Sequence, residues 1–211
     1  MPADLDALPR RREPIDTTTL TGLVDLMAPE PAAINVRAIA HGLAQINRWV
    51  GASVLAICVA QHSRMVWEIF RRLFPDERRY GIHALLHDAH EYIWNDITRP
   101  VEKRIDADFP GFSAWLGNRK NEADIAIRTA LGVPEPPMQI RALVHEADMV
   151  AAHLEWRLLI PPENGPSPFA LFAERHPRVP IQSIKTQLPA VAEADFRTAL
   201  VTELEARRWE Q

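Results

Sequence analysis

The segment ALLHDAHEYIWND, Ala84 to Asp96, sets two imidazoles and three carboxylates among residues of core type. Burying such groups is costly unless each is paired, protonated or bound to a metal. Read as a helix at 100° per residue, His87, Asp88 and Glu91 fall within an arc of about 100°, so one face presents all three. His62 belongs to a second apolar stripe, three residues after Val59 and four before Val66, and therefore faces inward. Asp148 lies on the edge of a third stripe, four after Val144 and three before Ala151. No Lys or Arg occupies the matching stripe positions, which would make a bound cation the compensation; the alternatives are a satisfied core histidine at His62 and a helix-surface carboxylate at Asp148. Two imidazoles and two carboxylates from three helices make an N/O ligand set suited to a divalent transition metal, and bundle interiors are where such sets are built. His41, His83, His90, His145, His153 and His176 carry no such argument and are expected at the surface. HEAD at 145–148 lacks the second histidine, four after the first, that a zincin helix needs.

The elements that must carry these groups read as helical. A 3.6-residue period runs through Ala33–Trp49, Val54–Phe74, Tyr80–Trp94, Val101–Ile105, Gly111–Leu131, Pro137–Leu159 and Ala190–Trp209, with prolines between them. In Val54–Phe74 the stripe is Leu55, Val59, Val66, Ile69 and Leu73. Sustained two-residue alternation is absent, so the expected fold is an all-α helical bundle with the metal site between core helices. A length of 211 residues with 47% apolar content suits a single domain. Residues 1–31 read as an irregular, proline-interrupted arm, 32–160 as the core, and 161–211 as a Pro-rich loop and C-terminal helix packed on that core.

A formal charge of -4 gives no broad basic surface for polymeric nucleic acid or an anionic membrane, but leaves a nucleotide substrate open. The single cysteine, Cys58, has no internal disulfide partner. The N-terminus lacks an apolar signal core and no run has the length of a membrane span, so a cytoplasmic protein is expected.

The ordered ligands, His62 in VAQHSRMV, His87-Asp88 in ALLHDAHEYIWND and Asp148 in LVHEADMVAAHLEW, resemble the H…HD…D signature of HD-domain metal-dependent phosphohydrolases. INRW at 46–49, HDAxE at 87–91, the following Asp96, the proline of RPVEK and the EAD element make the likeness greatest to bacterial 5′-deoxynucleotidases and to compact phage dATP triphosphohydrolases. The likeness covers about residues 39–160. Asn95 stands where those families carry a glycine before the second acid, and Lys103 is offset behind Glu102.

The resemblance implies an HD-domain fold and removal of the 5′-phosphate from deoxynucleoside monophosphates by metal-activated water. His62, His87, Asp88 and Asp148 would hold one divalent cation, manganese, cobalt, zinc or iron with magnesium possible, and substrate phosphates would recruit any further ions. Glu91 would act as general acid toward the departing O5′ or orient the water. Asp96 would assist from the end of its helix, or cap the next one. Arg48 offers a planar fork to phosphate, and the Trp49 indole would exclude a 2′-hydroxyl; the alternative is a surface arginine beside a core tryptophan. Lys103 is a further phosphate contact. A dNTP triphosphohydrolase is the alternative activity, needing additional cations from Arg71, Arg72, Arg99 or Lys103. A metal-holding module without turnover is the alternative outside enzymes. Related enzymes dimerise, and Trp115, Trp156 and Trp209 offer apolar surface for a homo-oligomer.

Overall fold

The computed structural model describes residues 15–177 and 184–208. The first half of the N-terminal arm, six residues of the segment after Pro161, and Trp209 lie outside them. Helix α1 (Val36–Gln45) starts where Asn35 is extended and its Oδ1 accepts the Ala38 amide at 3.0 Å. It stops at Ile46, because Asn47 bridges Cys58 and Arg48 N–H donates to Ile57 O at 2.9 Å. That bridge also delays α2 (Val59–Leu73), which begins five residues later than its periodicity suggests. Leu55 consequently lies in the loop, 53% exposed, and is no part of the buried stripe. Arg48–Gly51 between the two helices forms a short 3-10 turn rather than the end of α1.

The expected helix Tyr80–Trp94 is broken into α3 (Gly81–Leu85) and α4 (Glu91–Trp94). Between them the backbone tightens to i→i+3 hydrogen bonds, Ala89 N–H to Leu86 O and Glu91 N–H to Asp88 O, so the 100° step fails across the opening motif. Helices α5 (Arg99–Asp108) and α6 (Phe112–Leu131) follow, then α7 (Met138–Leu159), α8 (Ala170–Arg175) and α9 (Pro189–Arg208). Gly132 in the left-handed region ends α6 by donating to Arg128 O and Thr129 O.

Within the stretch expected to be irregular, β1 (Asp16–Thr19) and β2 (Gly22–Asp25) form an antiparallel hairpin, with Asp16 opposite Asp25 and Thr19 opposite Gly22. Three β-branched threonines favour the extended strand, and Gly22 takes the positive φ of the turn. Four residues are too few for alternation to register, yet Val24 is buried and joins the core.

Two apolar clusters fill the bundle. One joins α2, α3 and α7 through Val66, Ile69, Phe70, Ala84, Ile140, Val144 and Ala147. The other packs α9, by Ala192, Phe196, Ala199 and Leu200, against α1 and α3. Arg64 to Asp195 at 2.9 Å and His41 to Glu193 at 2.9 Å lie at the edge of this second layer.

At Gly42, α1 and α4 come into backbone-close contact: an added Cβ would lie 2.8 Å from Tyr92 Cβ and 3.4 Å from Tyr92 Cα. Alanine would favour an open helix by about 1 kcal/mol, so Gly42→Ala tests whether that contact is tight. The expected outcome is a loss of about 1–3 kcal/mol in urea unfolding, because neither backbone can yield freely. A stabilised variant would show the α1–α4 contact to be slack.

Candidate metal centre

His62 sits one turn into α2, fully buried, and Asp148 sits mid-way along α7, so two packed helices hold one imidazole and one carboxylate rigidly. His87 and Asp88 come from the tight turn after α3, which aims both consecutive side chains at the same point. His62 Nε2 is 3.0 Å from Asp148 Oδ1 and 3.8 Å from Asp88 Oδ2. His87 Nε2 is 3.1 Å from Asp88 Oδ2 and 3.8 Å from Asp148 Oδ1. Ligand bonds of roughly 2.0–2.2 Å would span such separations about one centre. The structure brings the ligand atoms of His62, His87 and Asp148 within 4.8 Å of one another, while Asp88, close to both imidazoles, groups with His90 and Glu91 instead.

The outer nitrogens of both rings fix what the inner ones can do. His62 Nδ1 lies 2.7 Å from Glu155 Oε1, and His87 Nδ1 lies 2.9 Å from the Ala84 carbonyl. A carboxylate and a carbonyl only accept, so each Nδ1 carries a hydrogen and each neutral ring points its lone pair inward from Nε2. His87 Nε2 is buried with no hydrogen-bond partner. Lone pairs thus face carboxylate oxygens, and either protons or a cation must come between them. This donor set fits a divalent transition metal.

The titration behaviour describes the proton solution to the same problem. Burial disfavours an imidazolium at His87, but the charges of Asp88 and Asp148 outweigh it and lift the pKa well above 6.5. Burial and then Arg48 oppose charging His62, while Glu155 and Asp148 prevail and raise it. Burial would raise Asp88 and Asp148; instead the two imidazoles bring both carboxyls below their usual range.

Glu91 opens α4 beside this cluster, 6% exposed, with Oε2 buried and unpartnered. Burial, then the Asp88 and Asp96 charges, push its pKa up to about 9. Asp96, half-buried just past α4, is also raised by burial, against the pull of Arg48. Asn95 precedes it at φ 65°, the left-handed region that favours glycine. Lys103 is exposed on α5 and makes no contact with the cluster among the described residues, so the structure does not place it as a phosphate contact; the lysine whose charge reaches Asp96 is Lys120 of α6.

Arg48 does reach the cluster, its Nη1 lying 3.6 Å from Asp88 Oδ2. A side-chain cation thus stands beside the site after all, supplied from a turn that no helical stripe could reveal. Trp49 packs edge-on to Trp156 at 5.6 Å and near Phe169 at 6.1 Å. Glu155, fully buried, accepts from Arg48 Nε and Trp49 Nε1, both at 2.9 Å to Oε2, as well as from His62. It was missed in the sequence, although it lies seven residues after Asp148, two turns along the same helix face.

Of the six histidines expected at the surface, His145 is exposed, His41, His153 and His176 are partly covered, and two are further enclosed. His83 is buried, and burial followed by Arg207, Arg128 and Arg141 lowers it to about 4. His90 is largely covered and meets Asp124 at 3.1 Å; Asp88, His90 and Glu91 form a second group with candidate ligand atoms within 4.8 Å of one another. A cavity of about 240 Å³ opens from His87 and Asp148 toward Arg128 and Arg141.

No protein-family model matches the chain. It is 36% identical over 136 residues to an uncharacterized protein of Rhodobacter capsulatus, a match that covers 63% of this chain and 66% of that protein's length.

His62 and His87 gain pKa on folding, so their protonation stabilises the fold fully below pH 6.5 and this is lost as pH climbs through the raised values. Glu91 acts in the same direction, since ionising it costs folding free energy from pH 4.5 to about 9. The expected result is that EDTA-treated protein melts several degrees lower at pH 9 than at pH 6.5, and that saturating zinc removes most of the difference. A midpoint that is flat or rises with pH would contradict buried imidazoles facing carboxylates.

Proposed function

We propose that the chain is an HD-type, metal-dependent phosphohydrolase that removes the 5′-phosphate from deoxynucleoside monophosphates. The observation that carries this reading is the convergence of His62, His87 and Asp148, with Asp88 3.1 Å from His87 Nε2 and both Nε2 atoms turned inward beside a carboxyl group that keeps its proton at neutral pH. A divalent cation held there supplies two things when bound: a lower pKa for its water and an offset for charge developing at phosphorus.

The remaining roles belong to side chains. Water forms the new P–O bond as the P–O5′ bond breaks, giving deoxynucleoside and orthophosphate. Glu91 holds a proton up to about pH 9 and donates it to the departing O5′. Asp96, its basicity raised by burial, orients the attacking water and takes up its proton. Arg48 turns Nε toward Glu155 and Nη1 toward Asp88, which leaves the outer edge of the guanidinium for phosphate. Trp49, backed by Trp156 and Phe169, forms an aromatic wall against the C2′ face of the sugar.

The cavity favours a second reading, a dNTP triphosphohydrolase. Arg71 is committed to Glu203 at 2.7 Å and Lys103 is exposed, but Arg128 and Arg141 line the space that leads from His87 and Asp148, although Arg141 also pairs with Glu135. A polyphosphate chain would find its cations there. Orthophosphate from dAMP supports the first reading and tripolyphosphate from dATP the second.

The test is a panel of dNMPs, NMPs and dNTPs with manganese, cobalt, zinc and magnesium, both phosphate products being quantified. Asp88→Asn is expected to lower kcat/KM by more than about 100-fold, since even the partners of metal ligands are worth about 10–100-fold. Trp49→Ala should raise activity on AMP relative to dAMP. Unchanged turnover in Asp88→Asn would dismiss the ligand set, and an unaltered AMP to dAMP ratio would dismiss the indole as sugar gate.

A further inference from the structure

Glu155 stands seven residues beyond Asp148 on α7, about 10.5 Å along the helix axis, and so cannot share a cation with it. No part of it is exposed, and its two oxygens receive three N–H groups: His62 Nδ1 at 2.7 Å on Oε1, Arg48 Nε and Trp49 Nε1 at 2.9 Å each on Oε2. A buried carboxylate persists only when its lone pairs are taken up in this way. Three N–H donors on its two oxygens, one of them from the Arg48 guanidinium, are the partners of an ionised carboxylate.

The three donors come from two different tasks. His62 belongs to the metal centre. Arg48 and Trp49 lie in the turn proposed to meet phosphate and sugar, and that turn is strained: Trp49 at φ 59° and Val50 at φ 54° occupy the left-handed region without being glycine. Besides Glu155, the turn is held by the Arg48–Asp88 pair at 3.6 Å, by Trp49 packed on Trp156 and Phe169, and by the backbone bonds Arg48 N–H to Ile57 O and Ala52 N–H to Trp49 O. Side-chain anchoring of Trp49 through a hydrogen bond comes from Glu155.

We propose that Glu155 is a positioning residue that ties cation binding to sugar selection, one carboxylate setting the His62 tautomer while it clamps Arg48 and Trp49. This rests on the proposed function. Its consequence is that a side chain with a single acceptor oxygen at this position cannot leave both properties intact. In Glu155→Gln the side chain keeps a single acceptor oxygen. Turned toward Arg48 and Trp49, that oxygen leaves an amide N–H against His62, which must move its proton to Nε2, the atom a cation needs. Turned toward His62, it sets donors against donors and frees the strained turn.

The experiment compares wild type with Glu155→Gln in three readouts, with circular dichroism and a thermal melt as the folding control: zinc affinity of the metal-free protein by calorimetry, the dAMP to AMP ratio of kcat/KM, and the His62 ring tautomer by ¹⁵N NMR. The expected result is a loss of about 10–100-fold in zinc affinity, a smaller dAMP to AMP ratio, or both, with wild-type His62 protonated at Nδ1 and the variant shifted toward Nε2–H when affinity falls. A folded variant with wild-type zinc affinity and wild-type ratio overturns the inference alone. Wild type that binds no zinc overturns the proposed function and the inference with it. Should the variant not fold, the wild-type spectrum decides: His62 protonated at Nε2 in the zinc-loaded protein overturns the inference, and protonation at Nδ1 supports it.

Discussion

A carboxylate taken out of water needs N–H donors or positive charge close by, and this bundle gathers three of them around one histidine. Glu155 is satisfied by three nitrogens and is electrostatically closed. Asp88 and Asp148 are not: apart from Arg48 at 3.6 Å, what faces them are the inner nitrogens of His62 and His87, whose hydrogens are already committed on the outer side. The difference between a closed carboxylate and two open ones separates a structural anion from the two proposed ligands. It also explains why the imidazoles hold extra protons when nothing else stands between the rings and the acids.

The scaffold divides the work by stiffness. His62 and Asp148 occupy the interiors of α2 and α7, two helices locked by a shared apolar layer, so their separation is set by packing. His87 and Asp88 ride a tight turn, where successive residues can aim at one centre as a regular helix would not allow. Glu91 and Asp96 bracket the single turn of α4, the shortest helix of the site, next to the Gly42–Tyr92 contact with α1.

Much of this could be read from the residue pattern. The inward positions of His62 and Asp148 follow from apolar neighbours at three and four residues, and the helical bundle from the same period. Other features escaped for definable reasons. A regular 100° step does not hold across Tyr80–Trp94, which is two short helices and a turn, and the turn sets His87 with His62 and Asp148 while Asp88 and Glu91 lie with His90. Arg48 was invisible as a neighbour of Asp88 since a bridge and a left-handed turn, not periodicity, deliver it. Glu155 was within reach, two turns beyond Asp148, but a glutamate beside a tryptophan reads as surface until something nearby is seen to need an acceptor. Lys103 was placed by likeness to other sequences rather than by physics, and its exposed position shows the limit of that step.

Helix α9 closes the bundle against α1, α2 and α3, and its ties span great distances along the chain: His41 meets Glu193 across 152 positions and Arg64 meets Asp195 across 131. Contacts of such separation form late, since the intervening chain must first be made and its loop entropy overcome. On the ribosome, the helix bearing His62 would wait with one flank bare until α9 emerged. Assembly of the centre is thereby coupled to synthesis of α9, and a nascent chain halted after α7 would own every candidate ligand yet lack the wall that holds α2 in place.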